Sequence, residues 1–339
     1  MKAAVYLGGL VFGVACGVSL GARANRRRFS FRGKSVLITG GSRGLGLVMA
    51  RRLAREGARL VIVARNEEGL HRAEEELRAL GAEVLAIACD VSDQAQVEKA
   101  VERTVSAYGG VDVVINNAGV IQVGPLDHMT VKDFEDALAI HLYGPLFTTN
   151  AVLPHMRRSG GGRIVNISSI GGKIAVPHLL PYSVSKFALV GLSDGLRAEL
   201  RKENIFVTTV CPGLMRTGSP RNAFFKGRHR KEFAWFTISD SLPLLSISAD
   251  CAARKILEAC RRGAARLIVS TPAKAGVLLN ELLPGVTTSL LSAANRLLPG
   301  PDTTRDNRSH AGNESESALA PSLLTRLSEK AALRNNQVA

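Results

Sequence analysis

The chain has no cysteine pair spaced for a disulfide framework or a metal clip. Its five cysteines (Cys16, Cys89, Cys211, Cys251, Cys260) include no C-x-x-C, which argues for free thiols in a reducing compartment. Cys89 and Cys211 end apolar runs and read as core positions. His71, His128, His155, His178 and His229 have no ligand spacing, so no metal site is expected. Acidic residues are scarce: 29 Asp and Glu face 44 Lys and Arg, a formal charge of +15. The basic residues are dispersed, with clusters only at 26–28, 226–231 and 261–262. No zinc-finger, RNP or basic-helix pattern accompanies them, so nucleic acid is not an expected partner. An anionic membrane surface suits the excess better.

One stretch lacks charge altogether. Ala3 to Ala22 is twenty uncharged residues, about the length that crosses a bilayer. Lys2 precedes it, and Arg23, Arg26, Arg27, Arg28, Arg32 and Lys34 follow. That asymmetry puts the chain beyond Ala22 in the cytoplasm. The segment is read as a single-pass transmembrane anchor. Ala22-Arg23-Ala24 resembles a signal-peptidase site and makes a cleaved leader the rival reading. Gly9, Gly13, Gly17 and Gly21 recur every four residues, a small-residue stripe that suits a homodimer. The remainder, 46% hydrophobic and 22% charged over the whole chain, has globular composition.

From Gly33 the pattern alternates between short apolar runs and amphipathic stretches. Lys34 to Thr39 reads as a strand that enters Gly40-Gly41-Ser42-Arg43-Gly44-Leu45-Gly46 and then a helix. In that context glycines let the backbone approach a pyrophosphate, and the helix N-terminus offers N–H donors. A second strand, Arg59 to Ala64, ends at Arg65. An acid there suits the ribose hydroxyls of NAD, whereas arginine suits a 2′-phosphate. Arg43 adds a second cation, so NADP(H) is expected over NAD(H); the alternative is Arg65 as a solvated cap of the next helix. Further strands are read at 83–89, 111–115, 163–169, 205–211 and 266–270, with helices at 67–81, 93–108, 131–156 and 181–203. This alternation predicts a doubly wound, Rossmann-type α/β fold of about seven parallel strands, with helices on both faces. Ser169 then lies at a strand's carboxyl edge, and Tyr182 and Lys186 share one helix face. An ammonium beside a phenol, whose ordinary pKa is about 10, favours the phenolate and makes an acid/base pair.

The ordered set resembles the short-chain dehydrogenases/reductases, in their single-domain branch. It comprises T-G-x-x-x-G-x-G (Thr39, Gly40, Gly44, Gly46), Asp90, N-N-A-G (Asn116 to Gly119), Ser169 with Y-x-x-x-K (Tyr182, Lys186), and P-G with a later threonine (Pro212, Gly213, Thr217). The resemblance spans about residues 33–270. It implies that Tyr182 is the general acid/base, that Ser169 orients the substrate carbonyl, and that Lys186 lowers the tyrosine's pKa and holds the nicotinamide ribose. It places Asp90 and Val91 at the adenine, Asn117, Ala118 and Gly119 along the cofactor crevice, and Pro212, Gly213 and Thr217 at the nicotinamide end. One position departs: where the family often has Asn, holding a water on the lysine's path to solvent, this chain has His141. His141 is therefore a candidate in the proton relay or a hydrogen-bonded packing residue.

The segment after Gly213 covers the substrate in that family. Here it mixes Met215, Phe224, Phe225, Phe233, Trp235 and Phe236 with the basic run 226–231. Two readings fit: an apolar pocket with its cations in solvent, or a loop on the membrane face. Both favour a lipophilic substrate such as a steroid, retinoid, prenol or long acyl chain. The expected division is an anchor with its basic flank at 1–32, the dehydrogenase domain at 33–270, an apolar helical extension at 271–299, and a largely disordered tail at 300–339, disordered over 300–319 with a short helix read at Leu323 to Leu333. The expected activity is a membrane-bound carbonyl reductase or alcohol dehydrogenase. A catalytically silent NADP(H)-binding regulator is the alternative, which the intact Ser169, Tyr182 and Lys186 oppose.

Overall fold

The central apolar runs become strands because helices bury them from both sides, while the edge strands stay partly exposed. In the computed structural model, which describes residues 29–243, 245–302 and 307–338, all five residues of β1 (Ser35–Thr39) are buried. Six further strands join it: β2 (Arg59–Ala64), β3 (Val84–Ala88), β4 (Val113–Asn116), β5 (Gly162–Ile167), β6 (Ile205–Cys211) and β7 (Arg266–Ile268). The sheet is parallel, in the order β7-β6-β5-β4-β1-β2-β3. The order reverses between β1 and β4, so a crevice opens at their carboxyl ends. The expected α/β architecture is thus present.

The helices between strands cover the sheet. They are α1 (Gly44–Arg55), α2 (Glu67–Ala79), α3 (Gln94–Tyr108), α4 (Val131–Leu138), α5 (Gly144–Arg158), α6 (Leu180–Leu200), α7 (His229–Ser241) and α8 (Ala249–Arg262). Leu37 of β1 packs with Val97 and Val101 of α3 and Val152 and Met156 of α5. The helix expected over 131–156 is not uniform. Residues Ala139–Tyr143 between α4 and α5 form a π-helical turn. Gly144 N–H bonds Ala139 O rather than Ile140 O, and Pro145 has no N–H for His141 O. The carbonyls of Ile140 and His141 therefore lose their α-helical donors, and such turns recur at functional sites.

Two buried polar chains fix α6 and the substrate-covering segment. Asn116 Nδ2 donates to Asn166 Oδ1 at 2.7 Å, and Asn166 Nδ2 to Ser193 Oγ at 2.6 Å, tying β4, β5 and α6 together. Lys226 Nζ meets Asp133 Oδ2 at 2.7 Å, both side chains 7% exposed. The expectation that the 226–231 cations stay in solvent fails at Lys226, because Asp133 gives it a buried partner. Phe225, Phe233 and Phe236 are likewise buried against one another as core, not as lining of an open pocket.

Beyond β7 the apolar extension forms α9 (Thr271–Leu282) and α10 (Pro284–Asn295), with Leu278, Leu282, Leu290 and Leu297 exposed. The tail expected to be disordered is folded over 307–338. His310–Ala311 pairs antiparallel with Phe224–Phe225, and α11 (Arg326–Arg334) follows. Arg221 pairs with Glu329 at 2.5 Å and Glu316 at 3.3 Å. The tail is polar because backbone pairing and ion pairs hold it, rather than a large apolar face. The expected membrane helix over 3–22 and its glycine stripe lie outside the described residues. Among the described residues no helix is long and apolar enough to cross a membrane.

Burial pushes the Asp133 carboxyl up, but bonds from Lys226 and Thr130 outweigh it and hold it below the usual range. Breaking a buried pair costs about 3–5 kcal/mol, so Lys226→Met should lower the urea midpoint accordingly. The pair's contribution is present above about pH 4, where the unfolded carboxylate ionises, and fades as pH falls through the depressed folded value. The gap between the two proteins should therefore narrow in acid, measured by urea titrations at several pH values.

Candidate active site

Thr39 ends β1 and fixes the crevice floor. Its Oγ1 accepts the N–H groups of Asn117 and Ala118 at 3.0 and 3.1 Å. Asn117 Nδ2 donates to the carbonyls of Thr39 and Gly40, both at 3.1 Å. A Cβ on Gly46 would lie 2.1 Å from Gly40 O, so glycine there permits the close turn into α1. Arg43 stands at the N-cap of α1 without capping it through its side chain; the first N–H, of Gly44, is taken by Asn335 O, and those of Leu45 and Gly46 face the crevice end of the turn. The resulting crevice of ≈ 390 Å³ runs from Ser42, Arg43 and Arg65 past Asp90 and Asn117 to Tyr182 and Lys186.

Arg43 and Arg65 flank one end of this crevice. Arg65 side chain is exposed and lies 3.7 Å from Asp90 Oδ2, a pair of small energetic worth at such exposure. Arg43 hydrogen-bonds Asn222 Oδ1. Burial first, and Arg65 second, make the Arg43 charge harder to hold. Two guanidinium groups so placed favour an anion between them.

At the other end α6 brings Tyr182 and Lys186 beside β5. The seat of Lys186 is tight: its Nζ donates to Ile167 O at 2.9 Å, and its carbonyl accepts Ser168 Oγ at 3.0 Å. A Cβ on Gly172 would come within 2.5 Å of that carbonyl. Burial pushes the Lys186 pKa down to about 7. Burial also pushes the Tyr182 pKa up, against a hydrogen bond from Ser169 that favours the phenolate. The influence that opposes burial at the phenol comes from Ser169. The ammonium lies 5.6 Å from the ring centroid, bonded to a carbonyl instead of the phenol.

His141 sits in this wall, its ring edge-on to Tyr182 with centroids 5.5 Å apart. Val120 N–H donates to Nε2 at 3.1 Å, so the ring proton is on Nδ1, which meets Ser185 Oγ at 2.7 Å. Ser185 in turn donates to the Tyr182 carbonyl at 2.8 Å. The chain ends on the tyrosine's backbone, not its phenol. Burial and then Lys186 push the His141 pKa well below its usual value. The geometry therefore favours the packing reading over the relay: His141 positions Tyr182 and stays neutral.

Of the sequence-derived residues, Gly40, Ser42, Arg43, Gly44, Leu45, Arg65, Asp90, Val91, Asn117, Ala118, Gly119, His141, Tyr182, Lys186 and Thr217 line one crevice. Thr39 and Gly46 lie behind the lining. Ser169 reaches the site through its bond to Tyr182, and Pro212 O accepts Ile170 N–H at 2.6 Å beside it. Gly213 packs toward Ser270, whose Oγ is 2.8 Å from its Cβ position. Sequence reasoning missed Asn222 and the tail residues Asn336, Gln337 and Val338, which also line the crevice. It also missed His178, held at φ 62° with Nδ1 2.8 Å from the buried Glu232, just ahead of α6. Trp235 Nε1 donates to the same carboxylate at 2.6 Å.

Because His141 does not ionise near neutrality, His141→Asn should retain the wild-type limb positions in the pH profile of kcat/KM between pH 6 and 8. Loss of a limb in that window would make His141 a proton carrier.

The short chain dehydrogenase family profile matches residues 34–225. A Mycobacterium tuberculosis protein named "Putative oxidoreductase SadH" is 35% identical over 257 residues, covering 75% of this chain and 92% of its own. A Streptomyces coelicolor protein named "Putative ketoacyl reductase" is 42% identical over 183 residues, 53% of this chain and 70% of its own. L-Sorbose reductase from Gluconobacter frateurii, solved with NADPH and L-sorbose, superposes with a TM-score of 0.64 at 27% identity, over 72% of this chain and 97% of that one. A 3-ketoacyl-(acyl-carrier-protein) reductase from Brucella melitensis, solved with NADH, gives 0.61 at 29% identity, over 71% and 98%. With the glycine turn at β1, the Tyr182–Lys186 pair on α6 and a matching profile over more than half its length, the chain belongs to the short-chain dehydrogenase family of oxidoreductases.

Proposed function

We propose that this chain is a membrane-anchored, NADP(H)-dependent oxidoreductase that interconverts a carbonyl and an alcohol on a lipophilic small molecule, with Tyr182 as general acid/base. The observation that carries this reading is the convergence of Tyr182, its partner Ser169 and the buried Lys186 on the crevice whose opposite end is the glycine loop. The residues suit a dinucleotide. The missing Cβ at Gly46 lets the turn close, and the first turn of α1 beyond Gly44, whose N–H is bonded to Asn335 O, offers amide donors. Solved neighbours hold NADPH in one case and NADH in the other, so the choice of NADP(H) rests on Arg43 and Arg65.

The bound nicotinamide supplies or accepts the hydride. In the reducing direction the Tyr182 O–H gives its proton to the substrate oxygen. Ser169 donates a hydrogen bond that steadies the oxygen charge left on the phenol. Lys186, whose pKa burial pushes down to about 7, stabilises the same charge and is poised to restore the proton. The released carbonyls of Ile140 and His141 offer acceptors on the path away from it.

Ile121, Val176 and Trp235 pack with Tyr182 on the aromatic cluster of α7, which favours an apolar substrate body. Likeness to a ketoacyl reductase favours an acyl-chain ketone among the lipophilic classes. The anchor is assigned to residues 3–22, with the catalytic domain cytoplasmic and the exposed leucines of α9 and α10 facing lipid.

Tyr182→Phe should abolish turnover in a cofactor-oxidation screen of ketones graded in lipophilicity, while NADPH still quenches protein fluorescence as in the wild type. Undiminished turnover would remove Tyr182 from the chemistry. Preference for short polar ketones would overturn the substrate class. Full-length protein should pellet with membranes and resist high salt, whereas deletion of residues 1–28 should release it; retention of the truncated form would move the anchor elsewhere.

A further inference from the structure

The crevice has a wall that no βα turn supplies. After α11 the chain turns at Asn336, whose φ is 54°, and lies along the glycine loop. Gly44 N–H, at the start of α1, donates to Asn335 O at 2.8 Å. Asn336 Nδ2 donates to Ser42 O at 2.9 Å and to Gly69 O at 3.3 Å, while Arg72 Nε donates to Asn336 Oδ1 at 3.1 Å. Arg51 holds the turn from below through Arg334 O at 2.8 Å. The fit depends on glycine: a Cβ on Gly44 would lie 2.5 Å from Gln337 Nε2.

The segment also governs a cation. Asn222 Nδ2 donates to Gln337 O at 2.9 Å and Gln337 Oε1 at 2.7 Å, and Asn222 Oδ1 accepts from Arg43. Gln337, only 9% exposed, thus fixes Asn222, and Asn222 aims the Arg43 guanidinium along the crevice. The side chains of residues 334–338 are a guanidinium, three amides and an isopropyl group. None is acidic, so the segment does not imitate a phosphate. The crevice stays open beside it, with Asn336, Gln337 and Val338 lining the same space as Arg65, Asp90 and Lys186.

We propose that Asn335–Val338 form a clamp on the phosphate end of the dinucleotide site, held on the glycine loop by Asn336, meeting the nucleotide through Gln337 and positioning Arg43 through Asn222. The clamp rests on the dinucleotide reading above. The Gln337 amide nitrogen adds a neutral donor at the phosphates, and the segment's hold on Arg43 favours the 2′-phosphate form.

The test titrates NADPH and NADH against the wild type, a chain ending at Arg334, and the double variant Asn336→Ala, Gln337→Ala. Thermal midpoints without nucleotide are recorded for all three. Loss of several hydrogen bonds should raise the NADPH Kd about ten-fold or more, with a smaller change for NADH. The double variant keeps the backbone contact at Gly44 and should show the same order of effect if truncation impairs folding. In the wild type, NADPH should slow hydrogen exchange at residues 335–338, which a purely structural tail would not do. Unchanged Kd values in a folded variant overturn the clamp, and tighter binding makes the tail a tethered competitor instead. Failure of the wild type to bind either nucleotide overturns the dinucleotide reading and the clamp together, whereas wild-type binding with unchanged variants overturns the clamp alone.

Discussion

An ammonium buried without a carboxylate is the constraint around which this site is built. Lys186 is 4% exposed, and its Nζ is bonded to the Ile167 carbonyl. Among the described residues no acid pairs with it. A carbonyl dipole compensates only part of the desolvation, so the charge is marginal near neutrality. Any ligand that brings hydroxyl oxygens to Nζ raises the lysine's hold on its proton and so couples binding to proton uptake. That marginal state persists only because the seat cannot relax. Ser168 grips the lysine's own carbonyl, Gly172 lacks the Cβ that would displace it, and Asn166 bonds α6 two turns further on through Ser193.

The same buried setting explains why Tyr182 needs its ligands. Burial alone drives a phenol toward its neutral form, and the bond from Ser169 only partly offsets this. Lys186 is aimed at Ile167 O rather than at the phenol, so the spacing alone does not make the pair an acid/base couple. Four residues on one helix face bring Tyr182 and Lys186 near each other; what sits in the crevice decides whether the ammonium serves the phenolate.

Most of this was legible in the chain because it is local. Glycines at 40, 44 and 46, a serine at a strand end and a tyrosine four before a lysine each act through nearby backbone, and the alternating strands and helices dictate which edge they share. The π turn is not part of that reading: the helical pattern runs unbroken over 131–156, although Pro145 cannot serve the carbonyl four residues back. Lys226 was not legible, because its burial depends on Asp133, 93 residues earlier. Nor was the aromatic segment's role: Phe225, Phe233 and Phe236 satisfy one another, and composition does not distinguish a core from a pocket lining. The tail misled most. Its polar residues suggested disorder, yet its partners are amides and carbonyls hundreds of positions away, which no local pattern reveals.

That tail gives the fold an order the seven strands alone do not have. At one end His310–Ala311 extends the short sheet formed by Gln122–Val123 and Phe224–Phe225, on the side where substrate is expected. At the other, Asn335 and Asn336 lie on the glycine loop. Between them Glu316 and Glu329 both hold Arg221, next to Asn222. The substrate-covering segment is also tied inward, through Lys226 to α4 and through Glu232 to the His178 loop ahead of Tyr182. The polar tail thus contacts both ends of the crevice, the short sheet at Phe224–Phe225 and the glycine loop at Ser42 and Gly44, through hydrogen bonds and ion pairs rather than through the sheet.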